Sequence, residues 1–290
     1  MPEADSERTQ YDALADVDTT ADPEPWLAML RGMWAGVDRG RWGEKETRYA
    51  ELFRRLRLRA GGVALEVGCG TGGASRLLAQ VVEGVRVVGV DPSRLAVAEA
   101  VRLTEAAGLA GRASFEAMDG RRLTFPDASF DAVFATRVLV HAFDPEGILS
   151  EMLRVLRPAG RALLVEPDRD GILGSLPHDE VDRLYWRHRR SINPSIGRLL
   201  YSMCRRAGLD EVEVTPWFRV STQPPSPSAA AEIRRDLAAR SGDYWELVRA
   251  GLVDEIALAE HVAGIEEAAR SGINLRTDLE FVVLATKPGI

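Results

Sequence analysis

The first 170 residues alternate between short, continuous apolar runs and longer stretches with apolar positions at helical spacing. The runs Val63–Val67, Val85–Val90, Ala113–Ala117, Phe130–Ala135 and Arg161–Glu166 predict five strands. Three helices are predicted between them. One covers Ala74–Val82. Another is opened by Asp91-Pro92-Ser93, with cap and first-turn proline chemistry, and runs to about Ala107. The third, Pro145–Leu156, stops before Pro158. Strands that are apolar throughout and separated by helices indicate a parallel sheet covered on both faces. Upstream, Trp26–Val37 and Thr47–Leu58 predict two further helices, the second with Tyr49, Leu52, Phe53 and Leu56 at helical spacing. Residues 1 to about 22 are polar and are expected to be poorly ordered at the start.

Beyond Glu166 the rhythm changes. Asp179–Gly208 reads as mostly helical and Glu211–Val220 as a strand rich in Val and Thr. Thr222–Ser228 holds three prolines and marks a boundary. Ala229–Ser271 is helical again, and Phe281–Thr286 closes the chain as a strand. The pattern divides into an N-terminal helical cap (1–58), a sheet core (59–170), a helical lid segment (171–206), a core strand (207–221), a helical cap insert (222–274) and a closing core strand (275–290).

Composition narrows the chemistry. The 290 residues suit one large domain or one domain with an added cap. A net charge of −7 argues against general affinity for nucleic acid or anionic membrane. The only lysines, Lys45 and Lys287, lie near the ends, which leaves no central lysine for a Schiff base or a P-loop. Cys69 and Cys204 lack metal-ligand spacing, so no metal is expected, and reduced thiols point to the cytoplasm. The polar, acidic N-terminus does not read as a signal peptide. No apolar run approaches the ~20 residues needed to span a membrane. Trp and Tyr are absent between Ala50 and Leu184, a gap that coincides with the sheet core.

The strongest chemical signal is Leu65–Gly73, LEVGCGTGG. Gly68, Gly70, Gly72 and Gly73 follow a strand and open a helix, where a ligand can approach the backbone and free N–H groups favour a polar or anionic group. Gly68, Gly70 and Gly73 also spell the dinucleotide fingerprint, and Asp91, at the end of the next strand, suits a ribose in either case. Two acids separate the readings. Glu66, two residues before the loop, would oppose a pyrophosphate but suits a cationic ligand end. Asp119, just past the third strand, can accept a hydrogen bond from an adenine amino group.

With these residues in order, LEVGCGTGG, VGVDPS, MDGRRLTFPDASFD, RVLVH and EMLRVLRPAGRALLVEPD, the chain resembles the class I S-adenosylmethionine-dependent methyltransferases. Its flavour is that of the ubiquinone/menaquinone C-methyltransferases. The motifs cover about residues 60 to 170, and Asn193–Val214 and Phe281–Pro288 share the likeness. The resemblance implies an α/β fold, a Rossmann-like, doubly wound, seven-stranded sheet that is mostly parallel with the last strand antiparallel. N-terminal helices and a helical cap inserted late in the chain would accompany it. It implies S-adenosyl-L-methionine as cofactor, S-adenosyl-L-homocysteine as product and a small-molecule acceptor. Carried over by position, Glu66, Gly68, Gly70 and Gly72 would hold the methionyl part. Asp91, followed by Pro92, would take the ribose hydroxyls, and Asp119 with the Gly120 backbone would read the adenine. Thr136 and Arg137 would border the methionyl group. Ala159 stands where the family often has glycine, which should alter a turn and leave the chemistry intact.

Other residues carry two readings each. His141, about six residues past the fourth strand, is either a base or orienter at the reaction centre or a histidine that orders the loop before Asp144-Pro145. Asp91 can cap the helix after it as well as bind ribose. Cys69 reads as a small apolar filler, Glu166-Pro167-Asp168 as a pocket floor, and Arg187 to Arg190 as a solvated helix face. Tyr11, Trp26, Tyr185 and Trp186 are candidates for an acceptor pocket, against the reading that such rings fill the cap's own core. Three functions compete with methyl transfer: the same cofactor fold used for cyclisation or rearrangement, an NAD(P)-dependent oxidoreductase, and a non-catalytic ligand-binding module.

Overall fold

The computed structural model describes residues 23–38, 40, 43–189, 191–225 and 227–289; Tyr11, the polar opening stretch and Trp42 lie outside them. The strands are β1 (Val63–Val67), β2 (Arg86–Asp91), β3 (Ala113–Ala117), β4 (Phe130–Thr136), β5 (Leu156–Gly174), β6 (Asp210–Ser221) and β7 (Arg276–Thr286). They form one seven-stranded sheet in the order β3-β2-β1-β4-β5-β7-β6. β1 pairs in parallel with β2 and β4, β2 with β3, and β4 with β5. β7 is the antiparallel strand. Its residue Lys287 exchanges amide bonds with Ala159 and Gly160 at one end of β5, while Thr277 meets Gly171 and Leu173 at the other.

Helices α1 (Glu24–Met33), α2 (Ala35–Asp38) and α3 (Glu44–Arg55) precede the sheet. α4 (Gly73–Val81), α5 (Arg94–Ala106) and α6 (Pro145–Val155) connect its strands. The later helices are α7 (Glu180–Arg189), α8 (Ile196–Arg206), α9 (Pro227–Ala239), α10 (Asp243–Arg249) and α11 (Glu255–Ser271).

The predicted elements recur with specific departures. The helix expected from Thr47 begins three residues earlier, because the Gly43 amide donates to Glu46 (3.0 Å) in a capping arrangement that apolar spacing does not register. The helix expected over Trp26–Val37 breaks at Trp34. The single late helical stretch divides into three: Gly242 turns at φ +92°, and the Asp254 carboxylate caps α11 by accepting from the Ala257 amide (2.7 Å).

The chain forms two compact units. The first holds the described residues through Val165, Leu200–Val214 and the segment from Val282 onward. Its core joins the inner strands to α3, where Phe53 meets Phe134 edge-on at 5.2 Å. The second holds Glu166–Leu199 and Thr215–Phe281. Its core is built from Val181, Ile233, Leu247, Leu258 and Val262 around a stacked pair, Tyr185 and Tyr244, with ring centroids 4.4 Å apart.

The alanine at the β5 turn has a cost that can be measured. Ala159 sits at φ +60°, a left-handed conformation costing a non-glycine residue about 1–2 kcal/mol. Glycine removes that strain but adds about 0.5–1 kcal/mol of chain entropy to the unfolded state. Ala159→Gly should therefore raise stability by about 0.5–1 kcal/mol, read as a higher urea midpoint with unchanged slope.

Candidate active site

The sheet order places the site. Val67 lies in register with Val90 on one side and Ala135 on the other, so the chain leaves β1, β2 and β4 at one level. From β1 the chain winds outward to β2 and β3, then returns on the opposite side at β4. Open α/β sheets bind ligands at such a switch point.

The glycine loop spans it. The Gly68 and Cys69 amides both donate to the Val90 carbonyl (2.8 and 3.0 Å). Gly68 has φ +71°, and a Cβ there would lie 2.3 Å from Val138 Cγ2, so conformation and packing both require glycine. Gly70, at φ +50°, is different: the nearest atom to a Cβ there is Leu30 Cδ1 at 3.7 Å. Among the described residues, a side chain there would meet only ordinary van der Waals contact, so packing does not require glycine at this position.

Asp91 fastens the loop to β2. Its Oδ2 accepts from the Gly70 amide (2.8 Å) and its Oδ1 from the Ser93 amide (3.0 Å). The cap of α5 is Ser93, whose hydroxyl accepts from the Ala96 amide. Asp91 thus stands two positions before the cap, with Pro92 between. The Met118 amide donates to the Asp91 carbonyl (3.0 Å), which brings Asp119 and Gly120 alongside. A Cβ on Gly120 would lie 2.7 Å from Val67 Cγ1, so that backbone passes hard against β1. Asp119 pairs with Arg121 (2.7 Å), which holds its carboxyl below the usual range and keeps it an acceptor.

Glu66 lies beneath the loop, 2% exposed. The Ser75 hydroxyl donates to its Oε2 (2.5 Å), yet burial pushes its pKa up to about 8. Among the described residues no ion pair reaches it. Neighbouring Arg76, fully buried, is already engaged: it donates to Asp38 (2.6 and 2.9 Å) and to the Thr71 carbonyl (2.6 Å). A buried acid with a proton to lose fits the ammonium end of an amino acid. The same loop leaves Gly70 without close packing among the described residues, and the Asp91 carboxylate stands beside it at the end of β2. These three features together fit the S-adenosylmethionine skeleton, whereas a buried carboxyl at this point opposes a pyrophosphate.

The wall beyond is the end of β4. Arg137 has φ +59° and donates its amide to the Val165 carbonyl (2.8 Å). Thr136 and Arg137 are half-buried, and the next residue, Val138, fills the space at Gly68. His141 follows in a 3-10 turn, Leu139–His141, also half-buried. Trp26 stands one helical turn before Leu30 on α1, so the two share a face. Tyr185 instead lies in the second unit's own core against Tyr244, and half-buried Trp186 carries the Arg169 guanidinium 4.7 Å from its ring. Asp168 is buried and gripped by Arg198, Arg187 pairs with Asp170, and His188 is exposed. The Cys69 thiol is buried, and burial raises its pKa well above the ordinary value, so it acts as filler. No group of three or more His, Cys, Asp or Glu able to hold a metal occurs among the described residues.

Sequence reasoning missed Ser75, Arg76 and Asp38. The visible signal was a polar pair, Ser75-Arg76, in the first turn of a helix that is otherwise apolar through Leu77, Leu78 and Ala79.

Fold and site together are similar to those of the class I S-adenosylmethionine-dependent methyltransferases. Residues 65–164 match the family described as a methyltransferase domain. It is 34% identical over 180 residues to the methyltransferase GfsG of Streptomyces halstedii, covering 57% of this chain and 63% of that one. It is 37% identical over 172 residues to the O-methyltransferase resE of Aspergillus sclerotiorum, covering 59% and 63%. Over 109 residues it is 38% identical to the sterol 24-C-methyltransferase erg6 of Aspergillus fumigatus, covering 38% and 29%. The chain thus spans less than two thirds of the length of these relatives, and none of the three is named a ubiquinone or menaquinone enzyme. Among solved structures, the YcgJ protein of Bacillus subtilis shares the fold with a TM-score of 0.57 at 18% identity, covering 84% of this chain and 99% of that one. No helix among the described residues is long and apolar enough to cross a membrane.

The state of Glu66 has a stability signature. Its folded pKa, about 8, is above the ordinary 4.5, so as pH rises between these values the unfolded chain ionises Glu66 while the folded chain keeps it protonated. Its contribution is therefore fully present below about pH 4.5 and is lost towards pH 8. Glu66→Gln has no proton to lose, so its urea midpoint should rise relative to wild type on going from about pH 5 to about pH 8.

Proposed function

We propose that this chain transfers a methyl group from S-adenosylmethionine to a small, largely apolar natural-product-like molecule. The observation that carries the reading is the union of a buried Glu66, without an ion pair among the described residues, and a left-handed glycine loop whose Gly70 amide is fastened by Asp91. Names among the relatives, a sterol C-methyltransferase and a resE O-methyltransferase, support the class of acceptor.

In this reading Glu66 holds the ammonium end, Asp91 the ribose hydroxyls, and Asp119 with the Gly120 backbone the adenine. When bound, the cofactor supplies an electrophilic methyl on a sulfonium and departs as a neutral thioether, so no residue must protonate the leaving group. The protein's task is to fix the line of attack and exclude water, which can supply roughly 7–11 kcal/mol. Thr136 and Arg137 border the methionyl group, and the left-handed Arg137 turn sets that wall in place. His141 is the candidate to orient the acceptor or take its proton, which would add about 10²–10⁴-fold. Two free, buried thiols support a cytoplasmic location.

The direct test incubates the full chain with S-adenosylmethionine and a panel of small hydroxylated and apolar acceptors, and follows S-adenosylhomocysteine by mass spectrometry. Its appearance with a methylated acceptor is expected. No release, together with no cofactor binding by calorimetry, overturns the reading. Acceptor turnover with the cofactor intact transfers the assignment to cyclisation or rearrangement.

The cradle also makes a linkage prediction. Below about pH 8 Glu66 must lose its proton to receive an ammonium. S-adenosylhomocysteine should therefore bind more tightly by up to about tenfold per pH unit from about pH 6 to about pH 7.5, with nearly one proton released. Calorimetry in buffers of different ionisation enthalpy reads both quantities. Glu66→Gln should bind more weakly at pH 7.5 and lose the slope.

A further inference from the structure

The second unit encloses a cavity of about 250 Å³ that owes nothing to the glycine loop. At roughly 30 Å³ per water, that is room for several molecules rather than one. Its wall includes His261 of α11, whose side chain is fully buried. His261 Nδ1 donates to the Pro177 carbonyl (2.9 Å), which fixes that nitrogen as the protonated one. The α11 backbone is pressed against the same proline, since a Cβ on Gly264 would lie 2.6 Å from Pro177 Cδ. Among the described residues Nε2 has no hydrogen-bond partner. Asp182 Oδ1 lies 3.6 Å from Nε2, beyond hydrogen-bond reach, while Asp182 Oδ2 accepts from Arg276 (2.6 Å).

A buried nitrogen without a partner costs free energy unless something in the cavity bonds to it. An oxygen placed beside both Nε2 and Asp182 Oδ1 would complete the pair. We propose that this cavity is a second ligand site for a neutral aliphatic alcohol, its hydroxyl accepting from His261 Nε2–H and donating to Asp182 Oδ1. The charges in the wall favour a neutral guest, because Arg276 is matched to Asp182, and Asp179 is engaged by the Gly174 amide (2.9 Å) and faces Arg183 at 3.8 Å. The body of the guest meets Ile172, Leu176 and Leu275. The protonated ring that this geometry needs is favoured: burial opposes its charge, but Asp182 and the Pro177 carbonyl outweigh burial and raise the His261 pKa. The Glu180 carboxylate also raises it.

The probe is cyclohexanol, with methoxycyclohexane as its partner that can accept but not donate. Histidine ring nitrogens of the full-length, ¹⁵N-labelled chain are followed by long-range proton–nitrogen correlation, with His261 assigned from His261→Gln. Cyclohexanol should shift His261 Nε2 saturably and leave His141, His178 and His188 in place. Methoxycyclohexane should bind about tenfold or more weakly, the loss expected for one unmade bond to a charged group. Leu275→Trp fills the cavity from a half-exposed position, so it should abolish the shift without lowering the melting temperature. It serves as the blocking variant if His261→Gln fails to fold. No saturable shift, equal binding of the two probes, or an undiminished response in Leu275→Trp would each overturn the proposal in favour of a water-filled void. None of these outcomes bears on methyl transfer at the glycine loop.

Discussion

A loop that offers its backbone to a ligand cannot cover that backbone with its own side chains, and the first unit is arranged around this constraint. Neighbouring elements occupy the space that side chains would take. Val138 from the end of β4 stands where a Gly68 side chain would be, Phe115 from β3 at Gly72, and Trp34 from the N-terminal segment at Gly73. The loop is then tied to β2 through the Val90 carbonyl and the Asp91 carboxylate. Among the described residues, Gly70 alone of the four loop glycines would meet no neighbour closer than ordinary contact. The same glycines that permit the turn therefore allow three other elements to close around it: a side chain at Gly68, Gly72 or Gly73 would displace a wall, and at Gly68 or Gly72 it would also strain the loop.

Electrostatics follow from the same packing. Burying Glu66 beneath the loop removes it from water, and the nearest guanidinium cannot compensate, since Arg76 is saturated by Asp38 and the Thr71 carbonyl. The result is an acid that favours its proton in the free protein and its charge only when a cation arrives. Had Arg76 reached Glu66, the site would hold a permanent ion pair and gain little from an ammonium. The placement of Asp38, outside the matched segment, thus leaves Glu66 without a guanidinium partner among the described residues.

Much of this was legible in the sequence, for reasons that differ by residue. The βα rhythm and the glycine loop are local: continuous apolar strands and left-handed turns leave marks within a few residues. Glu66, Asp91 and Asp119 were legible because each stands at a fixed offset from the end of a strand. Asp38 and Arg76 were not, since 38 residues separate them and each alone reads as a surface charge. Tyr185 illustrates the opposite limit: its ring suits a pocket by type, but its partner Tyr244 lies 59 residues away, and no local pattern shows that the two stack. Ala159 was legible as a departure from glycine, while the φ of +60° that makes it costly emerges only from the pairing of Ala159 and Gly160 with Lys287.

The aromatic residues show how far the cradle's support extends. Trp34 meets Tyr49 edge-on at 4.9 Å, Tyr49 meets Phe53 at 6.1 Å, and Phe53 meets Phe134 at 5.2 Å. Phe134 is in turn the register partner of Glu66 across β1 and β4. A line of rings therefore runs from the start of α4, where Trp34 abuts Gly73, back to the strand position beside the buried acid. The βα repeats between Ala50 and Leu184 have neither Trp nor Tyr of their own, so large rings for this line come from the N-terminal helices on one side and from phenylalanines on the other. A segment cut to residues 65–164 would keep the glycine loop, Asp91, Asp119 and the end of β4. It would lose Trp34, Asp38, Tyr49 and Phe53, and with them the wall at Gly73, the partner of Arg76 and the ring that packs on Phe134. The physical unit that holds the cofactor loop is longer than the family segment, because what keeps a glycine loop open is the packing around it.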